Sequence, residues 1–153
     1  MRGTLQRVRA LDTAWNARSW QRYAAMLDEG LEAYVGGETQ PHGKAAHLDR
    51  AQAFCEAFPD AKRRIDPYLD LFASADGMHS LSVSTLSGTA TGLFDLPMAL
   101  PRIPQATRFD IAMFTACQWR SGRIVRLREH LDYLLWFRQL GRVSLSPTTR
   151  SDS

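Results

Sequence analysis

The sequence predicts an α+β fold in which three N-terminal helices pack against a cone-shaped, strongly curved and mostly antiparallel β-sheet. Helical hydrophobic spacing falls within the first 58 residues, and long alternating segments follow one another from residue 63 onward. Asp76-Gly77 and Ser121-Gly122 are turn signals that join these segments as hairpins. We expect the sheet to wrap around the helices and to leave an apolar cavity at their junction.

Length and composition are those of one globular domain. The chain has 153 residues, 44% of them hydrophobic and 23% charged, which suffices for one core but not for two ordinary domains. We assign residues 1–142 to this domain. The polar residues 143–153 are expected to form a disordered tail.

Charge and hydropathy exclude two classes of partner. The net charge of +3 comes mostly from arginine, 17 of the 19 basic residues, spread from Arg2 to Arg150 without a stripe, so we expect no nucleic-acid binding. The N-terminus lacks the apolar core of a signal peptide, and no window approaches the roughly 20 apolar residues of a membrane span. We therefore expect a cytoplasmic protein that does not bind membranes.

Three helices are predicted over residues 4–16, from Ser19 to Gly30, and over 45–58. Their apolar faces carry the candidate substrate-binding residues Trp15, Tyr23, His47 and Phe54. Flat aromatic surfaces would suit a planar substrate, although core packing is the alternative for each of these side chains. A helix fixes the direction of His47, which makes it a better pocket candidate than His42 in the preceding glycine-rich loop.

The predicted strands are 31–35, 63–73, 78–91, 107–119 and 124–131. The strand over 107–119 is apolar on both faces and is expected to lie at the centre of the sheet. Between two of these strands, Gly92 to Gln105 form a long apolar loop with three prolines. A loop of this kind usually covers a site.

Titratable side chains crowd the end of the last strand, where Glu129, His130 and Asp132 occur together. Strict alternation separates two faces, which carry Arg126, Arg128, His130 and Asp132 on one side and Val125, Leu127 and Leu131 on the other. Asp132 would therefore point away from the core. Either a bulge redirects the strand end, or the polar face lines the mouth of the cavity, and we favour the second.

Other chemistries lack their motifs. The sequence contains no GxSxG, P-loop, dinucleotide fingerprint or HExxH. The four histidines have no metal-ligand spacing, and Cys55 and Cys117 lie inside apolar segments. We expect neither a metal nor another cofactor.

Five segments of the chain resemble the SnoaL-like polyketide cyclases, or ester cyclases, of the nuclear transport factor 2-like superfamily. They are residues 36–44, 46–60, 87–92, 119–132 and 138–141, the last reading RQLG. The resemblance extends over roughly residues 5–141. It departs from the family pattern at Gly88 to Gly92, where the usual GTHTG reads GTATG and its histidine is missing.

This resemblance implies a homodimer or homotetramer that closes a polyketide ring by cofactor-free intramolecular aldol condensation. The residue matching the family's general acid/base is Asp132, and His130 would orient it or share its proton. Trp119 and Arg128 are further candidates for substrate contact. The alternatives are an isomerase, a dehydratase or an epoxide hydrolase on the same fold, or a non-catalytic module for small-molecule binding or dimerisation.

Overall fold

The computed structural model describes residues 2–91 and 107–141 and confirms the α+β class. Its elements are α1 (Arg2–Asn16), α2 (Trp20–Ala25), β1 (Leu27–Val35), α3 (Lys44–Ala57), β2 (Lys62–Arg64), β3 (Asp70–Ala73), β4 (His79–Thr89), β5 (Arg108–Arg120), β6 (Arg123–Leu131) and α4 (Tyr133–Gln139). The loop predicted over 92–105 and the tail predicted over 143–153 lie outside the described residues. None of the described helices is both long and apolar enough to cross a membrane.

The strands form one curved, unclosed sheet in the order β1-β6-β5-β4-β2, with β3 also paired to β4. The middle position of β5 confirms the prediction for this strand. Only β1 and β6 pair in parallel among the described strands, and the other pairs are antiparallel. Ser121 and Gly122 both have positive φ, 49° and 77°, which is the backbone of the tight hairpin predicted between β5 and β6.

The core lies between the helices and the concave face of the sheet. Alternation along β5 directs Phe109, Ile111 and Met113 inward, whereas Phe114 on the convex face is 46% exposed. From the helices, Leu11 and Tyr23 are buried against this face. Burial of each such side chain contributes about 1.5–3 kcal/mol, which is the main reason why the helices stay on the concave side.

Two element boundaries differ from prediction. The second helix ends at Ala25 and β1 begins at Leu27, four residues before the predicted strand, because Met26 accepts a hydrogen bond from the Ile124 amide and Leu27 pairs with that residue. The single strand predicted over 63–73 is wrong. It is two short strands, β2 and β3, since Pro67 has no N–H to donate to a sheet ladder.

A fourth helix, α4, follows the last strand directly. Its N-cap is Asp132, whose Oδ1 accepts a hydrogen bond from the Leu135 amide at 2.9 Å. Aspartate is a preferred residue at this position because its side chain satisfies an amide that has no partner within the helix. The aromatic cluster after β6 is thus helical, and Trp136 is its buried member.

Candidate functional site

A cavity of about 830 Å³ lies between the helices and the concave face of the sheet. Most of its wall is apolar and comes from different elements, including Trp15, Phe54, Leu86, Met113, Leu131 and Trp136. This volume falls within the range of small-molecule sites. The polar groups in the wall form two clusters.

The first cluster places a guanidinium between two carboxylates. Arg63 donates from Nη1 to Oδ1 of Asp12 at 2.8 Å and from Nη2 to Oε1 of Glu129 at 3.1 Å. Arg63 and Asp12 are each only 3% exposed, and Arg63 and Glu129 line the cavity. Buried charges require partners of this kind, because each would be costly to desolvate alone.

Several contacts hold Arg63 in place. Asn16 brackets its backbone, since Nδ2 donates to the Arg63 carbonyl and Oδ1 accepts from the Arg63 amide, both at 2.8 Å. Its guanidinium lies 4.5 Å from the centroid of the Trp15 ring, a cation–π distance. Burial favours the neutral form, but Glu129 and Asp12 outweigh it and raise the pKa of Arg63 above its ordinary value. The residue is therefore a permanent cation.

The two carboxylates of this cluster differ in their hydrogen bonding. Both oxygens of Asp12 are occupied, because Oδ2 accepts from the Tyr68 hydroxyl at 2.7 Å. Within the described chain, Oε2 of Glu129 has no hydrogen-bond donor. Nε of Arg63 is also buried without an acceptor among these residues, which is unfavourable unless a bound molecule supplies one. Of the two carboxylates, Glu129 is the one with an oxygen that no described residue occupies.

The second cluster is a row of four side chains joined by hydrogen bonds. The Tyr23 hydroxyl lies 3.1 Å from Nε2 of His47, and Nδ1 of His47 lies 3.2 Å from Nε2 of His42. Nδ1 of His42 lies 2.8 Å from Oε2 of Glu38. Oε1 of Glu38 accepts a hydrogen bond from Arg50. We call Tyr23, His47, His42 and Glu38 the relay; all but His42 line the cavity.

Backbone contacts position the relay. His42 and Ala33 exchange two backbone hydrogen bonds of 2.9 Å, which attach the glycine-rich loop to β1. The Val35 amide donates to Oε2 of Glu38 at 3.1 Å. His47 lies at the end of the first turn of α3, and its amide donates to the Gly43 carbonyl. The relay therefore runs from the cavity interior to the partly exposed Glu38.

Burial controls the protonation of the inner members. It raises the pKa of Tyr23 well above its ordinary value, helped by the nearby Glu129 carboxylate, so Tyr23 stays neutral. Burial also lowers the pKa of His47, against the opposing effect of Glu129. At Glu38, partial burial raises the pKa, but hydrogen bonds from Arg50, Val35 and His42 outweigh it and lower the pKa. The outer end of the relay, Glu38, is therefore anionic, and the inner end, Tyr23, is neutral.

The structure brings four of the predicted site residues together. Trp15, Tyr23, His47 and Phe54 all line the cavity. The first three are nearly inaccessible, at 3%, 0% and 4% exposure, so each is also part of the core. The helical spacing of the sequence thus predicted which side chains of the helices face the cavity.

The other four lie elsewhere. Asp132 is exposed and caps α4, and His130 and Arg128 are exposed on the convex face of β6. Arg128 stacks over the Tyr34 ring at 4.1 Å. Trp119 is buried and donates from Nε1 to Oγ of Ser80 at 2.8 Å. None of these four is among the cavity-lining residues, and the polar face of β6 does not line the mouth as favoured above.

Sequence reasoning noted Glu129 without assigning it a role and missed Arg63, Asp12 and Glu38. It also ranked His42 below His47, although the two are hydrogen-bonded. One signal was present for Glu129: alternation that directs Leu127 and Leu131 inward also directs the residue between them. Asp12 lies in an amphipathic helix and Arg63 in a short basic strand, and nothing in either pattern pairs them. Among the described residues, no group of three His, Cys, Asp or Glu is arranged to hold a metal ion.

Comparison with known families and structures gives one consistent result. The model of the family described as SnoaL-like polyketide cyclase matches residues 5–140. A search of curated proteins gives no significant match. The solved structures that resemble this chain share less than 20% identity with it in the cases below, and they show the fold.

One similar structure is a candidate polyketide cyclase from Xanthomonas campestris pv. campestris, with TM-score 0.80 and 17% identity, covering 91% of this chain and 97% of that one. AclR, a candidate hydroxylase from Streptomyces galilaeus, gives TM-score 0.79 and 16% identity over 97% and 91% of the two chains. IdmH, a candidate polyketide cyclase from Streptomyces antibioticus, gives TM-score 0.75 and 18% identity, covering 90% of this chain and 98% of that one.

Proposed function

Because the chain belongs to the SnoaL-like polyketide cyclase family, we propose that it closes a ring of a polyketide ester by intramolecular aldol condensation, with Glu129 as the general base. The observation that carries this proposal is the position of Glu129. It is a carboxylate in the cavity wall, held through one oxygen by Arg63, with the other oxygen unoccupied by any described residue.

The chemistry requires one base and one proton donor. Oε2 of Glu129 removes a proton from a carbon between two carbonyl groups, and the resulting enolate carbon attacks a ketone carbon of the same molecule. The new carbon–carbon bond converts that carbonyl into an alkoxide, which takes up a proton. Product and substrate of the ring closure are isomers, so the step requires no redox partner. A positioned general base of this kind contributes about 10²- to 10⁴-fold to the rate.

The cavity supports a hydrophobic, oxygenated substrate. Its wall is mainly aromatic and aliphatic, which favours a flat carbon skeleton. The paired charges of Asp12 and Arg63 hold Glu129 in one orientation, and such preorganisation costs nothing at the moment of reaction. The substrate class is thus proposed from the family and from the wall together.

Asp132 is the alternative base, as the family resemblance implies. Its carboxylate is exposed and already accepts a hydrogen bond at the N-cap of α4. To act on a ligand in the cavity it would have to give up this cap. For this reason we prefer Glu129.

Water is the alternative nucleophile. A carboxylate next to a second carboxylate and a guanidinium could activate water, as an epoxide hydrolase requires, and the arrangement of Asp12, Arg63 and Glu129 favours this as the second candidate function. Turnover of candidate polyketide esters in ¹⁸O-labelled water separates the two. We expect a ring-closed product without added label, whereas incorporation of one labelled oxygen into the product skeleton would contradict cyclisation.

We also propose that the protein forms a homodimer or homotetramer. Phe72 and Phe114 are 56% and 46% exposed, and their pairing partners on β4, Leu81 and Val83, place both on the convex face of the sheet. Exposed aromatic side chains on one face favour association. Sedimentation analysis should give at least twice the mass of one chain, and a monomer at micromolar concentration would contradict the proposal.

A further inference from the structure

The order of donors and acceptors along the relay is determined by its outer end. Glu38 is held ionised by Arg50 and by the Val35 amide, so it can only accept from Nδ1 of His42. If both imidazoles are neutral, His42 then accepts at Nε2 from Nδ1–H of His47. His47 in turn accepts at Nε2, and the Tyr23 hydroxyl must donate to it. Each member of the relay then donates its proton toward Glu38 at the outer end. The Tyr23 hydroxyl donates to His47 and therefore cannot donate to a ligand.

One added proton reverses this order. Of the two imidazoles, His47 is the less favourable carrier, because burial disfavours its charged form and Arg63 and Arg50 add to that effect, although Glu129 opposes it. His42 contacts the Glu38 carboxylate directly, so the charge is best placed there. With both nitrogens of His42 protonated, Nδ1 of His47 becomes an acceptor and its Nε2–H donates to the Tyr23 oxygen. The Tyr23 hydroxyl then no longer donates to His47, and Tyr23 lines the cavity, so its proton becomes available to a ligand there.

Other charged groups near the relay are few in the described chain. Glu129, Arg63 and Asp12 act on Tyr23 from the sheet and α1, and Arg50 acts on the outer end from α3. Burial raises the pKa of Tyr133 of α4. The charges of Glu129 and Glu38 add to this effect and that of Arg50 opposes it, so Tyr133 stays neutral. None of these groups is bonded to His42, whose ring contacts are Glu38 and His47. The added proton is therefore held within the relay.

We propose that the relay supplies the proton that the alkoxide takes up during ring closure, with Tyr23 as the donor to the substrate oxygen. This rests on the proposed function. Tyr23 gives its O–H proton to the alkoxide, Nε2–H of His47 restores Tyr23, and Nε2–H of His42 moves to Nδ1 of His47. His42 is left neutral with Nδ1 still protonated, and the relay returns to its starting state when a proton from solvent is added at Nε2 of His42. Glu129, which gained the carbon-bound proton, releases it, so the cycle has no net proton change.

The test is the tautomer of each histidine in the full-length protein, measured from ¹⁵N shifts and long-range ¹H–¹⁵N correlations without any substrate. At pH 8 we expect both His42 and His47 as Nδ1–H tautomers. On acidification His42 should become doubly protonated, and His47 should change to the Nε2–H tautomer with the same midpoint. A His47 that is Nε2–H at pH 8, or two unlinked titrations, would overturn the relay.

Two variants sharpen this measurement. In Glu38→Gln the amide can donate as well as accept, so His47 should lose its single tautomer at pH 8. In Asp49→Asn, which removes an exposed carboxylate from α3, the helix that carries His47, both tautomers should stay as in the wild type. Loss of the switch in both variants, or in neither, would contradict the role assigned to Glu38.

Turnover then connects the relay with the reaction and separates its failure from that of the proposed function. His42→Gln should lower kcat by roughly tenfold or more with little change in KM, as expected for loss of a proton donor. If the linked tautomer switch is found but Glu129→Gln retains full activity, the proposed base fails and the relay stands. If Glu129→Gln is inactive but His42→Gln keeps wild-type kcat, the relay fails as a proton source and the base stands.

Discussion

Glu129 on β6 and Arg63 on β2 are joined by a hydrogen bond of 3.1 Å although β5 and β4 lie between their strands in the sheet. In a flat sheet, strands in these positions would lie about 14 Å apart. Curvature brings the two inward-facing side chains together over the cavity. The contact therefore depends on the overall shape of the sheet, and the chemistry proposed for Glu129 depends on the contact.

Replacing Arg63 by Met should strongly destabilise the protein. Asp12 would remain buried without its guanidinium partner, and removal of one member of a buried ion pair costs about 3–5 kcal/mol. The free energy of unfolding, measured by urea denaturation, gives the value. Arg64→Met is the matched control, because the neighbouring Arg64 makes only an exposed pair with Asp110 at 3.3 Å, worth about 0–1 kcal/mol. Equal losses in the two variants would contradict the buried cluster.

Gly36→Ala should also destabilise the fold and disturb the cavity wall. Gly36 has φ of +61°, and a Cβ there would lie 2.6 Å from Cε2 of Tyr133, which lines the cavity. Left-handed strain alone costs about 1–2 kcal/mol, and the steric conflict adds to it. Gly37→Ala is the control, since nothing lies within 4 Å of its added Cβ. Thermal or urea unfolding should show that the free energies of unfolding of the two variants differ by more than about 1 kcal/mol.

Stability should decrease on acidification through His47. Burial lowers the pKa of this residue in the folded state below its ordinary value of 6.5, so the unfolded chain binds the proton more readily. The contribution of the neutral imidazole is complete above pH 6.5 and is lost as the pH falls below that value. Urea unfolding at pH 7.5 and 5.0 measures the slope of the free energy of unfolding against pH. His47→Gln should reduce the slope, and an unchanged slope would show that other groups cause it.

Much of the fold follows from local patterns, and the errors have identifiable causes. Periodicity placed α1, α3, β4, β5 and β6 within a few residues of their observed bounds. The early start of β1 depends on its pairing with β6, which is 97 residues away at Leu27 and Ile124. The break between β2 and β3 had a local signal in Pro67, outweighed in the prediction by the alternation around it.

In the cavity wall, too, some features follow from local patterns and others depend on contacts between distant parts of the chain. Helical spacing predicted that Tyr23 and His47 face the cavity, because the direction of a side chain on a helix is a local property. The pairing of Asp12 with Arg63 joins residues 51 positions apart, so it arises only when α1 packs against the curved sheet. At Asp132, the family resemblance and the strand alternation gave opposite expectations. In the structure the alternation holds, and this residue caps α4 outside the cavity lining.

The most direct test compares kcat/KM of Glu129→Gln with that of Asp132→Asn on one polyketide ester. Asparagine still caps a helix, and glutamine keeps an acceptor for Arg63, so both variants should fold, which circular dichroism verifies. We predict a loss of about 10²-fold or more for Glu129→Gln and a change within a few-fold for Asp132→Asn. The opposite pattern, with Asp132→Asn inactive and Glu129→Gln active, would contradict the assignment of Glu129 as the base.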